Sequence, residues 1–143
     1  MFIGEYTISM DAKGRVAVPA KFRPNLGSTI VITKGVDNCL FLYTKDEWEK
    51  IALKYSALPI SKSDSRAFTR LMLGGAYDCE VDRQGRVIIP EDLRKFASLT
   101  KKVVTVGLYS RVEIWDEQTW TDYKKSTEKD TAKITEELGE LGV

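Results

Sequence analysis

The sequence contains no histidine, and this absence removes the commonest general base and metal ligand of enzymes. Its two cysteines, Cys39 and Cys79, lie far apart and lack the C-x-x-C spacing of a zinc site. No P-loop or paired-glycine nucleotide motif is present. Acidic pairs such as Asp46 and Glu47 are typical of a helix N-terminus and not of a catalytic dyad. The sequence therefore predicts a protein that is not an enzyme and that uses no cofactor, no metal and no small-molecule substrate.

Long apolar runs are absent as well, and none approaches the roughly 18 residues that a membrane-spanning helix needs. Residues 1–10 carry Glu5 and no basic residue, which is unlike a signal peptide. Both cysteines lie in segments of alternating apolar residues, and this pattern predicts two buried thiols. Together these features predict a cytoplasmic protein with no membrane partner.

The net charge of +1 conceals an uneven distribution along the chain. Residues 113–143 hold nine acidic residues and four lysines, whereas residues 1–112 hold eighteen basic and twelve acidic residues. Within residues 11–34, Asp11 is the single acid beside five basic residues. The excess of basic residues in 1–112 favours a polyanionic partner, although a solvated charged surface accounts for this excess nearly as well.

A duplication is the most informative feature that the sequence does contain. The stretch GEYTISMDAKGRVAVPAKFR, from Gly4, recurs as GAYDCEVDRQGRVIIPEDLR, from Gly75, with eight identities in twenty positions. After one inserted residue the match continues from Val31 and Val103. We interpret the chain as tandem repeats. The segments are repeat 1 at 1–58, a connecting helix at 59–74, repeat 2 at 75–127 and an acidic C-terminal tail at 128–143.

Each repeat shows the same predicted order of elements: an alternating strand, a tight turn, a short strand, a short helix after a proline, two strands and a closing helix. Thr44 and Glu47 form a capping box for the first closing helix, and Asp116 is an N-cap for the second. The tail at 128–143 is either an amphipathic helix or a frayed end. One repeat alone is marginal for a core, so we expect the two to form one compact domain.

Both repeats centre on the motif D-x-x-G-R, whose turn chemistry is local. Its residues are Asp11, Gly14 and Arg15 in the first repeat and Asp82, Gly85 and Arg86 in the second. Glycine suits a loop position with φ > 0, aspartate accepts hydrogen bonds from turn N–H groups, and arginine begins the return strand opposite the aspartate. The aspartates and glycines are therefore predicted to order the loops. On this chemistry alone, the two Asp–Arg pairs need have no role beyond stabilising two hairpins.

Additional positive charge favours a binding role for these loops. Lys13 lies in the first loop and Arg83 in the second, and Arg23 recurs as Arg94 just beyond them. Arginine makes bidentate contacts with phosphates and with the guanine edge. Two matched basic hairpin tips suit a repeating polyanion such as double-stranded DNA. The residues predicted to contact DNA are Arg15, Arg86, Lys13 and Arg83.

With these residues the sequence resembles the MraZ family of bacterial transcription regulators over essentially its whole length. The resemblance is carried by MFIGEYTISMDAKGRVAVPAKFR, by AFTRLMLGGAYDCEVDRQGRVIIP and by the two D-x-x-x-R motifs. It implies an α+β, mainly β fold of the AbrB/SpoVT type. In that fold two tandem repeats with flanking helices would build a swapped-hairpin, double-psi-like barrel within one chain.

The resemblance also implies a function. Members regulate transcription of the division and cell-wall gene cluster, bind short direct repeats in their own upstream region, and assemble into rings, which implies a nucleoid-associated homo-oligomer. Arg15 and Arg86 fall on the family's arginine positions, with Asp11 and Asp82 as their partners. The alternative is a cell-division scaffold that acts through protein contacts without binding DNA.

Overall fold

Eight strands and five α-helices make up the structure, a computed structural model that describes residues 1–143. The strands are β1 (Phe2–Ser9), β2 (Arg15–Ala17), β3 (Thr29–Lys34), β4 (Leu40–Thr44), β5 (Tyr77–Glu80), β6 (Arg86–Ile88), β7 (Lys102–Tyr109) and β8 (Val112–Asp116). The helices are α1 (Lys45–Ser56), α2 (Ser63–Met72), α3 (Glu91–Phe96), α4 (Glu117–Lys129) and α5 (Thr131–Glu137), with 3-10 turns at Arg23–Asn25 and Gly139–Leu141. None of these helices combines the length and apolar character that crossing a membrane requires.

The strands form two antiparallel sheets. One has six strands in the order β1-β7-β8-β4-β3-β5, and the other is a two-stranded ribbon of β2 and β6. A single bridge, between Met10 and Val16, links the first strand to the ribbon, so no barrel closes by continuous hydrogen bonding. The predicted fold class, a mainly β fold of two repeats with flanking helices, is confirmed.

The first strands of the two repeats are exchanged. β1 pairs along its whole length with β7 of the second repeat, with Phe2 opposite Tyr109. β5 pairs with β3 of the first repeat, and β2 pairs with β6 so that Val16 lies opposite Val87. Each repeat therefore supplies a strand to the other, and both sheets contain strands from both repeats.

Two apolar clusters cover the two faces of the six-stranded sheet. The larger cluster draws on both repeats and on the ribbon, and it includes the fully buried Phe22, Ile89 and Leu93. The smaller one contains Met72 and Trp115 and lies against helices α1, α2 and α4. The larger cluster places the ribbon over the sheet, with one face of the ribbon inward and the other toward solvent.

Both cysteines are buried and form no disulfide, as the sequence predicted. Burial raises the pKa of Cys39 to about 12 and that of Cys79 to about 11. Because the thiolate is the reactive form, the raised pKa keeps both groups in the less reactive thiol form at neutral pH.

The closing helices begin at the predicted caps. The Thr44 side chain accepts a hydrogen bond of 3.2 Å from the Glu47 amide, and Asp116 Oδ2 accepts one of 3.2 Å from the Gln118 amide. The acidic tail continues as α5, and every residue from 128 to 143 is exposed. The tail thus continues α4 to Lys129, forms α5 and the 3-10 segment, and contributes no buried residue to the core.

The short helix expected after each proline forms in only one repeat. In repeat 2 it is α3, whereas repeat 1 has only turns and the 3-10 segment Arg23–Asn25. Pro24 lies in that segment, and its missing N–H removes the bond that an α-helix would make four residues back. The prediction of a matching helix in repeat 1 was therefore wrong for a local reason.

Candidate nucleic-acid interface

Loop 1 (residues 11–14) connects β1 to β2 and is organised by one carboxylate. Asp11 Oδ1 accepts hydrogen bonds from the amides of Lys13 and Arg15, each at 2.9 Å. Asp11 Oδ2 accepts a third from Arg15 Nε at 2.7 Å. Gly14 donates to the Asp11 carbonyl at 3.0 Å and has φ +82°, which glycine adopts without strain. The loop is therefore fixed by its first, fourth and fifth motif residues.

Loop 2 (residues 82–85) repeats this geometry between β5 and β6. Asp82 Oδ1 accepts from the amides of Gln84 at 2.9 Å and Arg86 at 2.8 Å, and Oδ2 accepts from Arg86 Nε at 2.8 Å. Gly85 has φ +75°. The two loops share only aspartate, glycine and arginine, so these three residue types are sufficient to explain the common geometry.

The hydrogen bonds also set the charge state of the loops. The Arg15 amide and then its guanidinium lower the pKa of Asp11 below its ordinary value of 3.8. The Arg86 amide is the largest cause that lowers the pKa of Asp82, and its guanidinium acts in the same direction. Both carboxylates are therefore ionised at neutral pH.

Each aspartate holds its arginine by one nitrogen only. Nε of Arg15 and of Arg86 is hydrogen-bonded to its aspartate, whereas the terminal Nη nitrogens of both arginines make no hydrogen bond within the chain. The arginine side chains are 32% and 35% exposed, so the ion pairs are screened by solvent and add little stability. Their main effect is to fix the direction of a guanidinium whose outer edge can still bind another molecule.

The ribbon of β2 and β6 brings the two arginines onto one surface. Val16 and Val87, at its centre, are buried against the larger cluster. Because successive strand residues point to opposite faces, the residues on either side of these valines point outward. The outward positions are Arg15 opposite Ile88 and Ala17 opposite Arg86. Each arginine is thus diagonal to the other on the solvent-facing side of the ribbon.

Backbone hydrogen bonds join each loop to the other repeat. The Val18 amide donates to the Gly85 carbonyl at 2.9 Å, and the Ile89 amide donates to the Gly14 carbonyl at 2.9 Å. The glycine of each loop is therefore anchored by the strand that follows the opposite loop.

Two further arginines support the loops from beneath. The Arg94 guanidinium packs against Gly14, and the Arg23 side chain packs against Gly85, so that a Cβ at either glycine would overlap the arginine of the other repeat. Arg23 Nε donates to the Val18 carbonyl at 2.8 Å, whereas the buried Nε of Arg94 has no partner. The sequence indicated that these arginines recur but could not show that each crosses to the other loop.

All eight residues singled out from the sequence lie in this assembly. The set is Asp11, Lys13, Gly14, Arg15, Asp82, Arg83, Gly85 and Arg86, in the two loops and at the start of β2 and β6. Lys13 and Arg83 are exposed but occupy different loop positions, the third and the second. The sequence reasoning missed Ala17 and Ile88, because only the pairing of β2 with β6 places them beside the arginines. No cluster of three or more acidic or cysteine side chains is placed to hold a metal ion.

Comparison with known proteins finds relatives of the whole chain. The family model described as "MraZ protein, putative antitoxin-like" matches residues 1–71 and again residues 72–140. The chain is 48% identical over 143 residues to Transcriptional regulator MraZ of Thermoanaerobacter pseudethanolicus, covering 100% of both sequences. It is 49% identical over 143 residues, again 100% of both, to the protein of that name from Caldanaerobacter subterraneus subsp. tengcongensis. The solution structure of PHS018 from Pyrococcus horikoshii aligns over 80% of this chain and 88% of that chain, at 17% identity and a TM-score of 0.34, which is a slight likeness.

Proposed function

The chain belongs to the MraZ family, and on that premise we propose that it is a DNA-binding transcriptional regulator and not an enzyme. In this proposal it binds short direct repeats upstream of the division and cell-wall gene cluster that encodes it, and it does so as a ring of identical subunits. The observation that carries the proposal is the outward ribbon, on which Arg15 and Arg86 are directed by aspartates and keep their terminal nitrogens free.

The ribbon has the form that the major groove of DNA accepts. That groove is about 12 Å wide and admits a two-stranded β-ribbon, and guanine presents two acceptors there to which arginine can bind with both terminal nitrogens. Arg15 and Arg86 are the residues that would read bases in this way. Lys13 and Arg83, at the exposed loop tips, would contact phosphates and so hold the ribbon in register.

Assembly would raise the affinity of a chain whose net charge is only +1. One ribbon offers few cations, and neutralising a few phosphates gives weak binding at physiological salt. A ring would place many ribbons on one surface, and linked contacts can exceed single-site affinity by about 10²–10⁴ without a new type of contact. Direct repeats of DNA sequence would then match adjacent subunits.

The proposal is tested by binding to a duplex from the upstream region of the encoding gene cluster at two salt concentrations, with a scrambled duplex of equal length as the control. A DNA-binding regulator should retain the cognate duplex better than the scrambled one and should lose affinity steeply as salt rises. A cell-division scaffold that acts through protein contacts alone would retain neither duplex at either salt concentration, and that result would refute the proposal.

A further inference from the structure

The outward face of the β2–β6 ribbon is nearly two-fold symmetric. Val16 and Val87 face each other at its centre, and Arg15 and Arg86 lie on one diagonal. The other diagonal holds Ala17 and Ile88, which occupy matching positions of the two repeats but differ in size. A ribbon with identical halves would look the same after half a turn, and it would lie on DNA equally well in both directions. The difference between these two residues breaks that equivalence.

Ile88 is unusual among the residues of this face. The residue is 57% exposed, while its neighbours in sequence, Val87 and Ile89, are 1% and 0% exposed and belong to the core. A single exposed apolar residue is ordinary in itself. This one lies directly across from Arg15 and on the same face as Arg86, and both of these have free terminal nitrogens. A ligand held by both arginines would therefore cover Ile88.

The edge of a DNA base pair offers one apolar group in the major groove, the C5-methyl group of thymine. Ile88 extends several carbon atoms beyond the backbone, whereas Ala17 at the matching position offers only its Cβ. The loops also differ, since Lys13 and Arg83 are at unequal positions. Those two cations are at the tips, however, where phosphate contacts would carry no sequence information directly.

We propose that Ile88 contacts a thymine methyl group in the major groove, and that this contact, which Ala17 cannot match, fixes the direction in which the chain lies on its site. The inference rests on the proposed DNA-binding function. A subunit that binds DNA in one fixed direction suits direct repeats, because adjacent subunits then bind their sites in the same orientation. A subunit whose binding surface has two identical halves would instead suit a palindromic site.

The experiment removes the methyl group from the DNA and the side chain from the protein, separately and together. A duplex that the wild-type protein selects from random-sequence DNA is remade with each thymine in turn replaced by deoxyuridine. One replacement should weaken wild-type binding about fourfold, the equivalent of one buried methyl group. The variant Ile88→Ala should lose at least as much affinity for the unmodified duplex and should show no further loss at that thymine.

Matched variants separate this contact from general effects. Ile60→Ala truncates another isoleucine, which is 81% exposed and lies outside the ribbon, in the segment between α1 and α2, and this variant should bind like the wild type. Ile88→Thr keeps the branched shape that strands favour and should show a smaller dependence on the methyl group. The exchange Ala17→Ile with Ile88→Ala should move the sensitive thymine to the other half of the site.

The outcomes are distinct. Three results would each overturn the role of Ile88 and leave DNA binding itself unaffected. Wild-type binding could be insensitive to every deoxyuridine, or the deoxyuridine could weaken Ile88→Ala and Ile88→Thr by the same factor as the wild type. The third such result is a sensitive thymine that stays in place after the exchange. Failure of the wild-type protein to select any duplex would instead refute the proposed function.

Discussion

The guanidinium of Arg94, in the second repeat, lies against Gly14, in the loop of the first, so closely that a Cβ at position 14 would be 2.7 Å from Arg94 Cζ. Arg23 and Gly85 form the equivalent contact in the opposite direction. The two loops are therefore not independent hairpins, because each rests on a side chain from the other repeat.

The variant Gly14→Ala should be destabilised for two reasons that can be separated. Gly14 has φ +82°, which costs alanine about 1–2 kcal/mol, and the new Cβ must also displace Arg94. Gly27→Ala is the matched control, because Gly27 has φ +76° but no atom within 4 Å of a Cβ. Denaturant unfolding should show Gly14→Ala less stable than Gly27→Ala by about a further 1 kcal/mol. If Gly14→Ala and Gly27→Ala lose the same stability, or if the extra loss of Gly14→Ala persists when Arg94→Ala is added, the contact with Arg94 does not contribute to stability.

The variants Arg15→Ala and Arg86→Ala should lose DNA affinity without unfolding. A bidentate arginine contact contributes about 1–3 kcal/mol, so each should weaken cognate binding by roughly 5- to 150-fold. The thermal midpoint should change little, because the side chains are about one-third exposed and their ion pairs are screened. Lys50→Ala is the control, because it removes a side chain on α1 that is 72% exposed, and this variant should bind DNA normally. A variant that unfolds, or that binds as tightly as wild type, would exclude the arginine from the interface.

Replacing Asp11 or Asp82 by asparagine separates turn formation from charge pairing. Asparagine still has an oxygen that can accept the two loop amides, but it cannot pair ionically with the arginine Nε. We expect a lower ratio of cognate to scrambled binding, with scrambled DNA bound more tightly because one negative charge is removed. Fluorescence anisotropy with both duplexes measures this ratio. If both affinities and the thermal midpoint are unchanged, the aspartates have no role beyond the turn.

Acid should weaken the loops through the same carboxylates. The pKa values of Asp11 and Asp82 are lowered on folding from the ordinary value of 3.8, so the unfolded chain binds protons more readily than the folded one. Their stabilising contribution is complete above the unfolded pKa and is lost as the pH falls below about 4 through the lowered values. Thermal midpoints recorded from neutral pH into this range should fall more for the wild type than for the Asp11→Asn, Asp82→Asn double variant. Parallel curves would contradict this linkage.

Binding to two direct repeats should depend on their rotational phase. Adjacent subunits of a ring can reach two sites together only if both sites face the same side of the DNA, which recurs about every 10 base pairs. Inserting about five base pairs should lower affinity sharply, and inserting a full turn should restore much of it. Gel-shift titration of the three duplexes provides the comparison. Equal affinity for all three, or tight binding by a monomer, would exclude linked binding by a ring.

The loops could be predicted from the sequence because their chemistry is local. The carboxylate of Asp11 bonds only to residues two and four positions ahead, and the same spacing recurs from Asp82. The caps at Thr44 and Asp116 were predictable for the same reason.

The partners of the short strands were not predictable in this way. The three residues of β2 could pair with β1 in their own hairpin or with β6, and the local pattern of one buried residue between two outward ones is the same in both cases. The choice is made by the shared core beneath Val16 and Val87, which involves residues from both repeats. That choice of strand pairing sets the positions of Ala17, Ile88, Arg23 and Arg94. No sequence pattern within one repeat indicates which pairing forms.

The exchange of first strands has a consequence during synthesis of the protein. Phe2 pairs with Tyr109, so a nascent chain cannot complete its longest strand pair until the ribosome has made most of the second repeat. Until β7 is made, β1 has no hydrogen-bonding partner, and until β6 is made, β2 has no partner in the ribbon. A chain released before β6 is made would thus lack the ribbon and would expose apolar residues such as Phe2 to proteases and chaperones. We therefore expect such a truncated chain to be degraded and not to compete with the full-length protein for DNA.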